Sequence, residues 1–301
     1  MNSEKLSYSI VLCTYNNYKM LEETLLSLSK IETGGISVTL TVVNNNSTDA
    51  TQEIIKDAKK KIPFKVKDIF EKRPGLAIAR NTGVRNSNSE IIIFTDDDIL
   101  FEKDFLVQID RTFRKSKCSA TGSKIILKYP NEKLNWLTSR IDYMYGSLDL
   151  GDKDKKFPEG TTPLGPCMAV RSALFEKYGY FNEELGLKGT HETLLRGEET
   201  ELIERLMKGG EIVYYSANSV VYHVMKEERV TKAWFLERFI HSGKLEGKNH
   251  KAFLFYWWAS LVKLIIANLL VTFGTLIGNE GVAFYARCKA VYFFNIVKAY
   301  E

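Results

Sequence analysis

Along the first third of the chain, short runs of branched apolar residues alternate with stretches whose apolar side chains recur three and four positions apart. The runs at 9–13, 38–43 and 91–95 read as buried strands, and 65–70 as a shorter, half-exposed one. Between them, 19–28 places Met20, Leu21, Leu25 and Leu28 on one helical face. A polar turn over 44–49 can cap a second helix that holds Ile54 and Ile55. Arg73, Pro74 and Gly75 then break the chain before a third helix over 76–84. Strands that alternate with helices predict an α/β fold with a mostly parallel sheet flanked by helices.

The pattern loosens after residue 128. Between 128 and 162 lies a polar stretch carrying Trp136, Tyr143, Tyr145 and a charge cluster over 149–156. It is too long for an ordinary connection, and two readings stand: a mobile lid or a surface loop. A strand is predicted at 167–170 and, after Gly197, a helix over 198–207 with Leu202, Ile203 and Leu206 inward. Two strands are predicted at 212–215 and 220–224, with Asn218 at the turn and His223 near the end of the second.

Beyond Lys244 the chain becomes a helical appendage. The division is therefore 1–245 for the α/β domain and 246–301 for the appendage. Residues 253–277 place Val262, Ile265, Ile266, Leu269, Phe273, Leu276 and Ile277 at helical spacing. The segment is long enough for a bilayer, which needs about 20 apolar residues. Lys263 opposes insertion by about 2.5–3.5 kcal/mol, against about 0.3–0.6 kcal/mol gained per large aliphatic. Packing on the domain, lying in the membrane interface and spanning all remain open. Lys248, His250, Lys251, Trp257 and Trp258 suit the interface. A further helix holds Phe284, Tyr285, Val291, Tyr292 and Phe293.

Length and charge narrow the classes. The 301 residues suffice for one large α/β domain with an appendage. A net charge of +5 with acids and bases interspersed points away from nucleic acid and leaves a weak preference for anionic surfaces such as a membrane. Cys13, Cys118, Cys167 and Cys288 lie far apart, against a zinc or disulfide framework and in keeping with a reducing compartment. The apolar run at 8–12 is too short for a signal segment, so a cytoplasmic location is expected.

The sharpest chemical feature is Asp96, Asp97 and Asp98 directly after the 91–95 strand. Ligands of such sheets bind beyond the carboxyl ends of the strands. Carboxylates this close repel one another unless a proton or a cation relieves them, and hard cations such as Mg²⁺ or Mn²⁺ prefer oxygen ligands. The plainer reading is an acidic turn that caps the next helix.

Over about the first 240 residues the chain resembles the inverting family 2 glycosyltransferases of the GT-A fold. The resemblance rests on five ordered blocks: S-I-V-L-C-T-Y-N-N from Ser9, V-V-N-N-N-S-T-D from Val42, G-L-A-I-A-R-N-T-G from Gly75, T-D-D-D from Thr95 and G-E-E-T-E-L from Gly197. It implies a nucleotide-sugar donor, with UDP-sugar favoured, and a saccharide or lipid-linked saccharide acceptor. It implies metal ligation by Asp98 with Asp96 and His223, although a histidine hydrogen-bonded at a strand end is an equal reading of His223. Asp96 would contact the ribose or a metal-bound water, and Asp97 would orient the loop. Thr14, Tyr15 and Asn16 would line the nucleotide pocket, Asn44 and Asn45 would recognise the base, and Arg80 would approach the diphosphate, although a surface helix charge is an equal reading of Arg80. Glu199 inherits the role of base, with Glu198 as its rival, because relatives carry Glu-Asp where this chain has Glu-Glu. The segment 165–171 resembles the one below the donor sugar, with Pro166 and Cys167 departing from the usual small or amide residues.

Two other classes fit the sequence less well. A sugar nucleotidyltransferase would want a Gly-rich basic phosphate loop after strand one, which 14–18 does not supply. A binding scaffold without turnover would have no use for both the acid triplet and Glu199.

Overall fold

A computed structural model describes residues 6–130, 134–186, 197–249 and 254–299. His250 and Lys251, expected to flank the long apolar helix, lie outside the described residues. The chain forms two compact units, Met1–Leu127 with Gly146–Val224, and Lys128–Tyr145 with Met225–Glu301.

In chain order the elements are β1 (Ser7–Thr14), α1 (Tyr18–Leu28), β2 (Ser37–Asn44), α2 (Thr51–Lys61), β3 (Lys65–Phe70), α3 (Leu76–Arg85), β4 (Ile91–Thr95), β5 (Ile99–Phe101), α4 (Phe105–Ser116) and β6 (Ala120–Lys128). There follow α5 (Ser139–Asp142), β7 (Lys155–Lys156), β8 (Cys167–Arg171), α6 (Ala173–Tyr178), α7 (Glu198–Lys208) and β9 (Val213–Val224). Three long helices complete the chain: α8 (Lys232–Asn249), α9 (Leu254–Leu276) and α10 (Glu280–Lys298).

The first unit is built on one sheet of order β3-β2-β1-β4-β8-β6-β9-β5, with β7 added beside β9. β3, β2, β1 and β4 run parallel, whereas β8 pairs antiparallel with both β4 and β6, and β9 pairs antiparallel with β5 and β7. The sheet is thus parallel only in its first half. Successive side chains of a strand face opposite ways, so Ile10 and Leu12 join a core with Leu21, Leu25 and Ile55. Val11 and Cys13 join the other, with Ala77, Ala79, Leu202 and Leu206. β3 sits at the edge, which explains its alternating lysines and half-exposed residues. Because Thr14 lies opposite Asn44 and Leu12 opposite Thr95, the loops that leave β1, β2 and β4 emerge at the same sheet end.

Two features depart from the sequence reading. The two strands expected around Asn218 are one continuous strand, β9. Its small polar residues read as a turn, but Ser216 and Ser219 are hydrogen-bonded to Thr112 and Ser123, and the Ala217 N–H donates to Asp154, 2.9 Å away. The described parts of 128–162 lie at the surface over much of 149–160 but are pinned to the body at several points. Trp136, Ile141, Tyr145 and Phe157 are all buried, and Ile125 bridges Leu148. As their spacing led one to expect, all four cysteines are free; they are also buried, with Cys167 beside Ser123 in the core.

In the second unit an aromatic nest joins the start of this segment to the helices. Trp136 meets Phe284 edge-on at 4.9 Å and Phe235 at 5.6 Å, and Tyr145 stacks on Trp234 at 5.0 Å. Such pairs contribute about 0.5–1.5 kcal/mol each beyond their burial. α10 packs against α8 on one side and α9 on another, and the Asn279 side chain caps its first turn by accepting from the Val282 N–H.

Candidate functional site

The three acids after β4 have three different surroundings. Asp97 faces the β1 loop, where it accepts from the Thr14 hydroxyl and the Asn17 amide, each at 2.6 Å. Its backbone carbonyl accepts from Thr24. Burial and then the charge of Asp98 push its carboxyl up to about 7. Asp97 is thus tied to the β1 loop through Thr14 and Asn17.

Asp98 is buried on the opposite side. Its Oδ1 lies 3.3 Å from Nε2 of His223, and its carbonyl accepts from the Val224 N–H at 2.9 Å. The β5–β9 pairing sets this geometry by placing His223 opposite Ile99. Strand β9 thus brings a residue 125 positions away in sequence to the acid row.

Asp96 points to a buried cation. The guanidinium of Arg80, only 2% exposed, lies 3.1 Å from Asp96, 2.7 Å from Glu198 and 3.8 Å from Glu199. Burial alone would lower the guanidinium's proton affinity, but the charges of Glu198, Asp96 and Glu199 more than reverse this and hold Arg80 charged. Burial raises the Asp96 carboxyl, with Arg80 opposing. Arg80 is therefore a hub that ties the acid row to the start of α7, its guanidinium held by protein carboxylates. At 2% exposure it is not a surface helix charge.

Glu198 and Glu199 open α7 after Gly197, which holds a left-handed φ of 108°. Glu198 is 3% exposed and bound by Arg80, whereas Glu199 keeps 20% of its side chain open. Burial, then the neighbouring Glu198 charge, raises the Glu199 carboxyl. Gly165 permits this approach: a methyl there would stand 2.8 Å from Arg80 Nη2 and 3.3 Å from Glu199 Oε1.

The β2 loop is self-contained. Asn44 donates to Gln52 and accepts from the Ser47 N–H. Asn45 donates to the carbonyls of Arg73 and Glu71 and accepts from the Gly75 N–H. Both amides, expected to read a base, are buried and committed to holding loop to loop. Asn16 likewise accepts from the Thr48 N–H at 2.7 Å and adopts a left-handed φ of 46°. Tyr15 is exposed, at 45%, and so is Asn16 beside it, whereas Thr14, Asn44 and Asn45 are buried. The sequence reading missed Asn17, which pins Asp97, and Glu71, which receives Arg73 and the Thr82 hydroxyl. Polar side chains spaced around predicted loops were the available signal, but their partners lie far away in sequence.

Among the described residues no group of three or more His, Cys, Asp and Glu side chains is arranged to hold a metal unaided. The Asp98–His223 pair nevertheless supplies one oxygen and one nitrogen donor, with Asp96 in the same loop. Mg²⁺ and similar cations are commonly held by one or two carboxylates and completed by substrate phosphates and water. The donor set fits a cation of that kind.

This architecture occurs in solved structures. Mannosyltransferase PcManGT from Pyrobaculum calidifontis, in complex with GDP-Man and Mn²⁺, matches over 99% of this chain and 88% of its own, with TM-score 0.67 and 17% identity. S. aureus TarS 1-349 in complex with UDP matches over 98% and 91%, with TM-score 0.57 and 18% identity. By sequence, the succinoglycan biosynthesis protein ExoM of Rhizobium meliloti is 24% identical over 82% of this chain and 76% of its own length. The family model for glycosyl transferase family 2 matches residues 9–179, from β1 through α6 and including the acid row and Arg80. A match over more than half of the chain settles its membership: it is a glycosyltransferase of family 2.

Proposed function

We propose that the chain transfers a hexosyl group from a nucleoside diphosphate sugar, UDP-sugar foremost, to a hydroxyl of a saccharide or lipid-linked saccharide. The transfer is metal-dependent, inverts the anomeric centre and serves polysaccharide or glycan synthesis at the cytosolic membrane face. Chemistry belongs to residues 1–245 and placement to 246–301. The observation that carries the reading is the Arg80 hub, which joins Asp96 to Glu198 and leaves Glu199 as the more open carboxylate beside the acid row.

In this reading Glu199 takes the proton of the acceptor hydroxyl as attack proceeds, an assistance typically worth about 10² to 10⁴ in rate. Its raised proton affinity suits the role, because a base works best with a pKa near the working pH. Glu198, bound to Arg80, keeps the start of α7 in place. Asp98 and His223 would hold the cation, with Asp96 beside them, and a bound Mn²⁺ or Mg²⁺ would supply positive charge where the leaving diphosphate grows negative. The exposed ring of Tyr15 faces the nucleotide, and Asn44 and Asn45 stiffen the loop beneath it. TarS was solved with UDP and PcManGT with GDP-Man, so the base is the finer question. The name of ExoM supports a polysaccharide setting.

A panel of UDP- and GDP-sugars, with and without Mn²⁺, tests the proposal by thermal stabilisation and hydrolysis. A UDP-sugar should stabilise the protein and turn over only with metal, and the product should have the anomeric configuration opposite to the donor's by NMR coupling. A retained configuration would overturn the single-displacement mechanism, and binding without turnover would leave a scaffold.

A further inference from the structure

Helix α9 sorts its side chains the opposite way from a helix packed in water. Among its described side chains the buried ones are small: Ser260, Ala267 and Gly274 form a line seven apart against α10. At Gly274 a methyl group would stand only 2.6 Å from the Ala283 backbone nitrogen. Its large apolar side chains face outward instead, with Trp258, Ile265, Leu269 and Phe273 all at least half exposed and Leu276 80% exposed. In water the hydrophobic effect would turn the leucines and isoleucines onto α10. Small residues at the helix contact with large ones outward are the arrangement found where the surroundings are lipid.

The distribution around α9 fixes how lipid is met. At 3.6 residues per turn the exposed apolar side chains fill an arc of roughly 140° opposite the small-residue line. Lys263 borders that arc on one side, and Asn268 and Thr272 border it on the other. The 20-residue stretch Trp257–Leu276 is long enough to cross a bilayer, but its neighbour forbids it. Gly274 lies against Ala283 and Lys263 over the ring of Phe293, so α10 runs antiparallel along α9. A crossing pair would carry Arg287 and Lys289 to mid-depth together with Lys263, and each such charge offsets the gain from several leucines. The described residues of these two helices carry Lys263, Arg287, Lys289 and Lys298 against Glu280 alone, a balance that complements an anionic surface.

We propose that α9 lies in the plane of one leaflet of an anionic bilayer, immersed through its Trp258–Leu269–Phe273–Leu276 face, with α10 covering it from the aqueous side. This deepens the reading above of an enzyme that meets a lipid-linked acceptor, by naming the surface and its mode.

The full chain should sediment with phosphatidylcholine vesicles that contain phosphatidylglycerol, bind less as salt rises, and come off in alkaline carbonate. Leu269→Gln with Phe273→Gln should lower vesicle partition by about 100-fold or more, while donor hydrolysis measured in the same preparation stays unchanged. Should that double variant fail to fold, Ile266→Trp at mid-helix gives an independent reading. Its fluorescence should be quenched more by lipids brominated near the carbonyl than near the chain end. Retention through the carbonate wash with strongest quenching at the chain end would overturn the in-plane mode. No sedimentation at low salt, with self-association lost in the double variant, would make the face a protein interface. Hydrolysis reports separately on the proposed function, since neither residue belongs to its machinery.

Discussion

Removing Arg80 probes how the site is held together. In Arg80→Met the guanidinium is lost from between Glu198 at 2.7 Å and Asp96 at 3.1 Å, and Glu198 is left with only 3% of its side chain exposed. An exposed ion pair contributes about 0–1 kcal/mol. Here the partner remains buried without compensation, and such deletions cost about 3–5 kcal/mol. With each kcal/mol worth about 2–4 °C in a domain of 150–250 residues, the melting temperature should fall by roughly 6–20 °C. Glu198→Gln should cost less, about 1.5–3 kcal/mol, because Arg80 keeps Asp96 and Glu199. The double variant removes both charges, so its loss should fall short of the sum by at least about 1 kcal/mol. Urea denaturation of the four proteins closes the cycle. Additivity within about 0.5 kcal/mol, or a single-variant loss no larger than a surface pair's, would refute the hub.

Glu199→Gln should reduce turnover by about 10² to 10⁴ with donor affinity little changed, and Glu198→Gln should reduce the chemical step less; the reverse order would move the base by one residue. Glu71→Gln should cost about 1–2 kcal/mol at pH 7, since hydrogen bonds from Arg73 and Thr82 overcome burial and lower this carboxyl from 4.5 to about 2. A folded-state value below the unfolded one means this stability is complete above pH 4.5 and is lost as pH falls toward 2, so the gap between the two proteins should narrow on acidification. A chain ending at Gly247 should be insoluble, because α10 residues cover Phe239 and Phe235 of α8 through Lys289 and Phe284; a soluble, monodisperse truncation would contradict this packing.

The parallel half of the sheet was readable because strands buried on both faces leave continuous apolar runs, as in β4, and the intervening helices keep a clean apolar face. Of the antiparallel half, β8 was legible at 167–170 and β9 only as two pieces. In β9, serines hydrogen-bonded to other buried hydroxyls stand where apolar residues would have signalled a strand. The acid row and Glu199 were visible as residue types at a strand end and a helix start. What periodicity does not carry is which side chain finds which partner. Arg80 sits on α3 like any helical arginine until the fold brings Asp96 and α7 around it. Asn44 and Asn45 looked equally suited to a base or to their own loops, and only the geometry shows both amides bonded within the chain. The anchoring of 128–162 was not legible because isolated aromatics such as Trp136 and Tyr145 are buried without any repeat to announce them.

The most direct test of the central claim is UDP-sugar turnover by the full chain after chelation and after return of Mn²⁺, with Asp98→Asn in parallel. Turnover should fall to background on chelation and recover with metal. Asp98→Asn should stay near background at any Mn²⁺ concentration while keeping its fold, because a neutral amide is a poor ligand for a hard cation. Full activity in rigorously metal-free protein, or undiminished activity in Asp98→Asn, would contradict the metal-dependent transfer built on Asp98 and His223.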